Sequence, residues 1–132
     1  MQVKRPITNI DAFNAALSKA ALDDAQIRMI EYIRYMGTFN QPQLVKDLNI
    51  KSKPPALSIL CTACRMIGSF MPNHFTAVRQ WSQSISMDNV RWDGHLICCS
   101  SFNVDGEMLI PECKTAQYHN FAVHKELFIG LD

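Results

Sequence analysis

Apolar residues recur at helical spacing through the first half of the chain and give way to alternation between turn signals in the second. Thr8 or Asn9 is placed to cap a short helix running through about Lys19, with Phe13 and Leu17 four apart on one apolar edge. Asp23 and Asp24 open a stronger helix to Met36, where they suit the positive end of the helix dipole. Its stripe is Ile27, Ile30, Ile33 and Met36, and Gly37 stops it. Asn40 caps a helix from Gln41 to about Asn49, with Pro42 in the first turn and Leu44, Val45 and Leu48 facing inward. The pair Pro54-Pro55 fits only the first turn of the next helix, which runs through Ile67 before Gly68 ends it. That helix carries a stripe of Leu57, Leu60, Cys61, Cys64 and Ile67.

In the second half, Trp92-Asp93-Gly94-His95 and Val104-Asp105-Gly106-Glu107 each set Asp-Gly between strand-like runs. This is a hairpin signal, because a two-residue turn needs positive φ at its centre. The two signals predict a three-stranded meander at about 89–92, 95–104 and 107–110, closed by Pro111. Residues 73–88 carry mixed signals, although Phe75, Ala77, Arg79 and Trp81 alternate like the start of a further strand, and Asn120–Phe128 reads as a final helix. No repeat, low-complexity tract or Gly/Ser/Pro-rich linker divides the chain. At 132 residues a single α+β domain is expected, with helices first and antiparallel strands after.

Composition adds little to that picture, whereas charge distribution adds more. A chain with 48% hydrophobic and 19% charged residues is ordinary for a globular domain, and a net charge of +1 argues against both a polybasic coat and an acidic DNA mimic. Residues 1–68 hold nine Lys/Arg against five Asp/Glu, and residues 69–132 hold four against seven, so phosphate should meet the first half. No apolar run is long enough to span a bilayer, and Met1-Gln2-Val3-Lys4-Arg5-Pro6 carries no secretory leader pattern, so no membrane partner is expected. Five cysteines in no disulfide-framework spacing fit reduced thiols in the cytoplasm.

Three helices, the last two joined by a tight turn and followed by a hairpin, resemble the winged helix-turn-helix superfamily. The resemblance lies in residues 23–68, where Leu57-Ser58-Ile59-Leu60-Cys61-Thr62-Ala63-Cys64-Arg65-Met66-Ile67-Gly68 is similar to a recognition helix and its closing glycine. Two departures stand out: the run from Gly68 to the first hairpin signal is long for a wing, and this helix has Arg65 as its one cation. The resemblance implies a helix-turn-helix core over residues 1–70, with the meander as wing and a C-terminal helix over 71–132. It also implies double-stranded DNA as partner. The face opposite the stripe, Ser58, Thr62, Arg65 and Ser69, would then enter the major groove, with Arg65 on guanine O6 and N7 and the hydroxyls on several base edges. Lys51 and Lys53 at the helix start would take phosphate, supported by Gln43 and Lys46 from the preceding helix and by Arg91 from the wing.

Each of these residues also has a plainer reading as solvated surface, and the alternative is a winged helix turned to protein binding, as an inhibitor or assembly factor. Ile59 and Met66, which flank the outer face, would suit a protein partner. Phe121, Val123, Leu127, Phe128 and Ile129 either mate two copies into a homodimer or close the core of one. The expected activity is that of a small transcriptional regulator, of a size carried by phage or mobile elements, which acts by occupying a site.

Chemistry is set aside on spacing. Cys61-Thr62-Ala63-Cys64 has the C-x-x-C form, and Cys98, Cys99, Cys113, His119 and His124 nominally complete a zinc set. Yet Cys61 and Cys64 fall on a core stripe, and no second C-x-x-C answers them. Alternation sends Cys98 and Cys99 to opposite faces of a strand, and nothing sets His74, His95 or His119 beside either as a base. Asp23-Asp24 are explained by the helix start, and no Gly-rich phosphate loop occurs. Neither a metal, a cofactor nor an enzymatic activity is expected. Trp81, Trp92, Phe102 and Phe121 read as core, with Trp92 the candidate for a wing tip.

Overall fold

The computed structural model describes residues 5–50, 56–85, 91–100 and 120–130. They form helices α1 (Ile10–Lys19), α2 (Asp24–Met36), α3 (Gln41–Leu48), α4 (Ala56–Gly68) and α5 (Pro72–Ile85) and a 3-10 turn at Asp93–Leu96. Strands β1 (Thr38–Phe39), β2 (Cys98–Ser100) and β3 (Phe121–Val123) make an antiparallel sheet in the order β1-β3-β2, so the chain is of mixed α+β class. Among the described residues no helix is long and apolar enough to cross a membrane.

The helix starts follow local polar chemistry. The side chains of Asn9, Asp23 and Asn40 accept from Ala12, Gln26 and Gln43 backbone N–H groups, each three residues on. At Asp23 the arrangement is reciprocal, since the Asp23 backbone N–H donates to the Gln26 side-chain Oε1. Helix α2 stops at Gly37, and α3 at Asn49, which takes the left-handed conformation at φ 52° and ψ 48°.

Burial rotates α2 away from the expected stripe. Ile30 and Ile33 are inside, but Ile27 and Met36 are exposed, and Met29, Gln26 and Arg34 take the inward positions. The two polar residues are admitted because their groups are satisfied. Gln26 also donates to Met66 Sδ, while Arg34 Nε donates to the Leu127 carbonyl at 2.8 Å and its guanidinium lies over the Phe13 ring.

Three expectations for the second half are corrected. The alternation at Phe75, Ala77, Arg79 and Trp81 is not a strand: Phe75, Val78, Trp81 and Ser82 are buried at the spacing of a helix face. The Asp-Gly at 93–94 is not a hairpin tip, and Arg91 and Trp92 form no strand. The segment instead turns tightly, His95 N–H donating to the Trp92 carbonyl at 3.2 Å and Ile97 N–H to Gly94 at 3.1 Å. Gly94 lies against the Trp92 ring, where a Cβ would collide with the indole. Finally, Asn120–Phe128 is not a helix. Phe121 and Val123 are buried on one face of β3, and a turn from His124 to Leu127 follows. The hairpin signal at Val104–Glu107, the strand at 107–110, Pro111, Phe102 and the Pro54-Pro55 start of α4 lie outside the described residues.

The two-residue strand β1 has no counterpart in the sequence reading. Thr38 and Phe39 pair with Ala122 and Phe121, which ties the end of α2 to the sheet, and the Phe39 and Phe121 rings stack at 5.4 Å. β2 pairs with β3 from Cys98↔Val123 to Ser100↔Phe121. One hydrophobic cluster draws on every one of these elements, from Phe13 and Ile30 through Leu44, Leu60 and Phe75 to Leu96 and Phe121.

Gly68 ends α4, but its neighbour matters more than its flexibility. Its Cα faces the Phe75 ring so closely that a Cβ would overlap the ring carbons. Gly68→Ala should push α5 off α4 and cost about 1–3 kcal/mol, an overpacking penalty to be read in urea denaturation. An unchanged midpoint would show that the two helices part freely.

Candidate nucleic-acid interface

Helices α3 and α4 are joined at their starts by a side chain. Gln41 in the first turn of α3 accepts from the Leu57 N–H with Oε1 at 3.1 Å, satisfying one of the free amides at the start of α4. The inward stripe of α4 is Ala56, Leu57, Leu60, Ala63, Cys64 and Ile67, with Cys61 half-buried beside it. This leaves Ser58, Thr62, Arg65 and Ser69 exposed on the opposite side, as their spacing predicts.

Three of these residues are not independent. Thr62 Oγ1 donates to the Ser58 carbonyl at 3.0 Å and accepts from Arg65 Nη2 at 3.2 Å, while Arg65 Nη1 reaches Asp93 Oδ2 at 3.3 Å. Both terminal nitrogens of Arg65 are therefore engaged, and a guanine contact falls to the N–H groups those bonds leave over. Asp93 also receives Arg79 Nε at 3.1 Å and has Arg91 Nε at 3.6 Å. The carboxylate is 8% exposed, whereas the side chains of Arg65, Arg79 and Arg91 are 51%, 33% and 49% exposed. Among the described residues, three guanidiniums on one buried carboxylate leave two positive charges in excess on the solvent side.

The structure thus brings together Ser58, Thr62, Arg65 and Arg91. Lys46 is exposed on α3, and Gln43 is half-buried near Tyr32, whose hydroxyl donates to Asp47. Among the described residues no hydrogen bond or ion pair joins Gln43 or Lys46 side chains to the α4 face. Lys51 and Lys53 lie outside the described residues. Ile59 and Met66 are half-buried against the core, Met66 through Gln26. Of the five apolar residues considered for mating two copies, Phe121, Val123 and Leu127 are buried within this chain, and Phe128 and Ile129 are exposed.

Sequence reasoning missed Arg79 and Asp93. They sit 14 positions apart, on α5 and in the 3-10 turn, and no periodicity links them. It also missed the buried polar group beneath. Ser82 Oγ accepts from the Trp92 N–H at 2.8 Å, lies 3.2 Å from the Trp92 carbonyl and is hydrogen-bonded to His95 Nδ1, which fastens α5 to this turn. His124 donates from Nε2 to the His95 carbonyl at 2.6 Å, and Trp81 and Trp92 meet the His95 ring edge-on. Burial pushes both histidines down, His95 to about 3 and His124 to about 4, so both are neutral at pH 7. Trp92 therefore packs in this cluster, half-buried, with its ring also against Phe121.

The thiols are packing groups. Cys64, Cys98 and Cys99 are buried and Cys61 is half-buried, all four are unpaired, and burial raises each of their pKa values. Cys98 and Cys99 are both buried in β2. Among the described residues no three His, Cys, Asp or Glu side chains are grouped to hold a metal ion, while Cys113 and His119 lie outside them. Comparison with protein-family models, curated proteins and solved structures finds no match to this chain.

Proposed function

We propose that this chain is a small sequence-specific DNA-binding regulator of the winged helix-turn-helix kind, acting by occupying its site. The observation that carries the reading is the outer side of α4: an exposed polar face of Ser58, Thr62, Arg65 and Ser69 that runs into a cluster of three arginines. A helix with such a face fits a major groove, where hydroxyls and guanidiniums bond base edges and phosphates. The short α3 bonded at its start to α4, and the antiparallel neighbours β2 and β3 that follow, fit a helix-turn-helix with a wing. Helix α5 occupies the long run that separates α4 from that pair.

Fluorescence anisotropy against a labelled random-sequence duplex pool tests the reading. Four phosphate contacts should weaken binding roughly 100-fold between about 50 and 200 mM salt. Replacing Lys51, Lys53 and Arg65 together with alanine should flatten that response. A wild-type protein that ignores DNA at low salt, or a triple variant that binds as well as wild type, ends the DNA reading. In that case a protein-directed role for the same fold takes its place.

A further inference from the structure

We propose that Arg65, Arg79 and Arg91, gathered on Asp93, form a seat for one backbone phosphate of the bound DNA, so that α5 as well as α4 holds the duplex. The proposal rests on the DNA-binding reading above and adds a contact element to it.

Charge is the first argument. Among the described residues Asp93 neutralises one of three guanidiniums, and a phosphodiester brings a single negative charge to the two left over. Placement is the second. Asp93 lies beneath, almost excluded from solvent, and draws the three side chains from α4, α5 and the segment before the 3-10 turn to one spot. Arg79 spends only Nε on Asp93 among the described residues, while its guanidinium rests over the Phe75 ring at 4.1 Å, which leaves its planar Nη edge without a partner there. Such an edge matches two phosphate oxygens.

The surroundings supply a third, independent argument. Neither α4 nor α5 contains a single Asp or Glu across their 13 and 14 residues. The outward positions Thr76, Gln80 and Gln83 on α5 are neutral hydrogen-bonding groups, so no carboxylate of these two helices would repel an approaching strand. A single carboxylate balances only one of the three guanidinium charges gathered on it among the described residues. All three, each open to solvent, suit an anion that arrives from outside.

The test uses the full chain and two unrelated labelled duplexes, with anisotropy measured over a range of salt. Arg79→Ala and Arg91→Ala should each weaken binding by on the order of tenfold at low salt and lower the salt slope by about one, equally on both duplexes. Arg91→Ala guards against a folding artefact, because Arg91 is half-exposed and the most distant of the three from Asp93. Arg79→Lys should recover the slope but only part of the affinity, since it keeps the charge without the fork. If wild type binds DNA and both alanine variants match it, the seat is wrong and the DNA reading stands. If wild type binds no DNA, both fall. A few millimolar inorganic phosphate should compete with the duplex beyond the effect of chloride at equal ionic strength, and phosphate that binds the wild type without weakening its hold on the duplex would assign the site to a free anion and overturn the backbone contact.

Discussion

Lowering the pH from 6 to 5 should cost this fold about 2 kcal/mol, because the unfolded chain protonates two histidines that the folded chain holds buried and neutral. His95 and His124 are 3% and 5% exposed, and their folded pKa values, about 3 and about 4, lie well below the ordinary 6.5. For His95 burial is the larger cause, with the charge of His124 next; for His124 burial leads against the opposing bond to the His95 carbonyl. Between pH 6.5 and 4 the unfolded chain binds protons that the folded chain refuses, so stability is full above 6.5 and falls with acidification until the folded values are reached. Half-buried His74, lowered by burial and by Arg5, acts with the same sign. Urea denaturation as a function of pH should show the folded state losing stability at close to two protons' worth per pH unit. His124→Gln, whose amide can still donate to the His95 carbonyl, should remove about half of that dependence. Stability that is flat or rising from pH 6 to 5 would contradict the buried neutral pair. The same experiment bears on function, since Asp93 and His95 share one 3-10 turn, and loss of that turn disperses the three arginines.

The parts of the molecule that could be read from sequence are those governed by neighbours a few residues away. Asn9, Asp23 and Asn40 act as caps because a short polar side chain reaches an amide three residues on, and nothing distant competes. The outer side of α4 was likewise legible, since its apolar residues leave one orientation. Reading failed where tertiary contact chose between local options. Phe75, Ala77, Arg79 and Trp81 alternate, but Phe75, Val78 and Ser82 also fall on one helical face, and the contact of Phe75 with Gly68 selects the helix. Asp93-Gly94 lost its hairpin because the Asp93 carboxylate is gripped by arginines from α4 and α5 and Gly94 is pressed against Trp92. Phe121 and Val123 kept a period of two inside a stretch short enough to pass for a helix, and only pairing with β1 and β2 decides it. The arginine seat depends on long-range convergence of this sort, which explains why Arg65 and Arg91 were visible singly while Arg79 and Asp93 were not.

Phe121→Ala should be the most damaging single truncation at the sheet, at about 3–5 kcal/mol. Phe121 is fully buried, stacks on Phe39 of β1 and packs against Trp92 at 5.2 Å between ring centroids, and its backbone is paired on both sides in the β1-β3-β2 order. Removing the ring leaves a cavity lined by two rigid aromatic rings that cannot collapse into it, so both the transfer term and the cavity term apply. The damage should spread in two directions. Through Phe39 it loosens the junction between α2 and the sheet, and through Trp92 it reaches the Ser82–His95 bonds that fasten α5 to the arginine-bearing turn. Phe70→Ala, at a side chain 50% exposed, supplies the contrast and should cost less than about 1 kcal/mol. Equal losses in the two variants, measured by urea denaturation at pH 7.5 where the histidines are silent, would mean that β3 closes no core. A large loss in Phe121→Ala alone would place the role of this ring in closing the core between β1, β3 and the 3-10 turn.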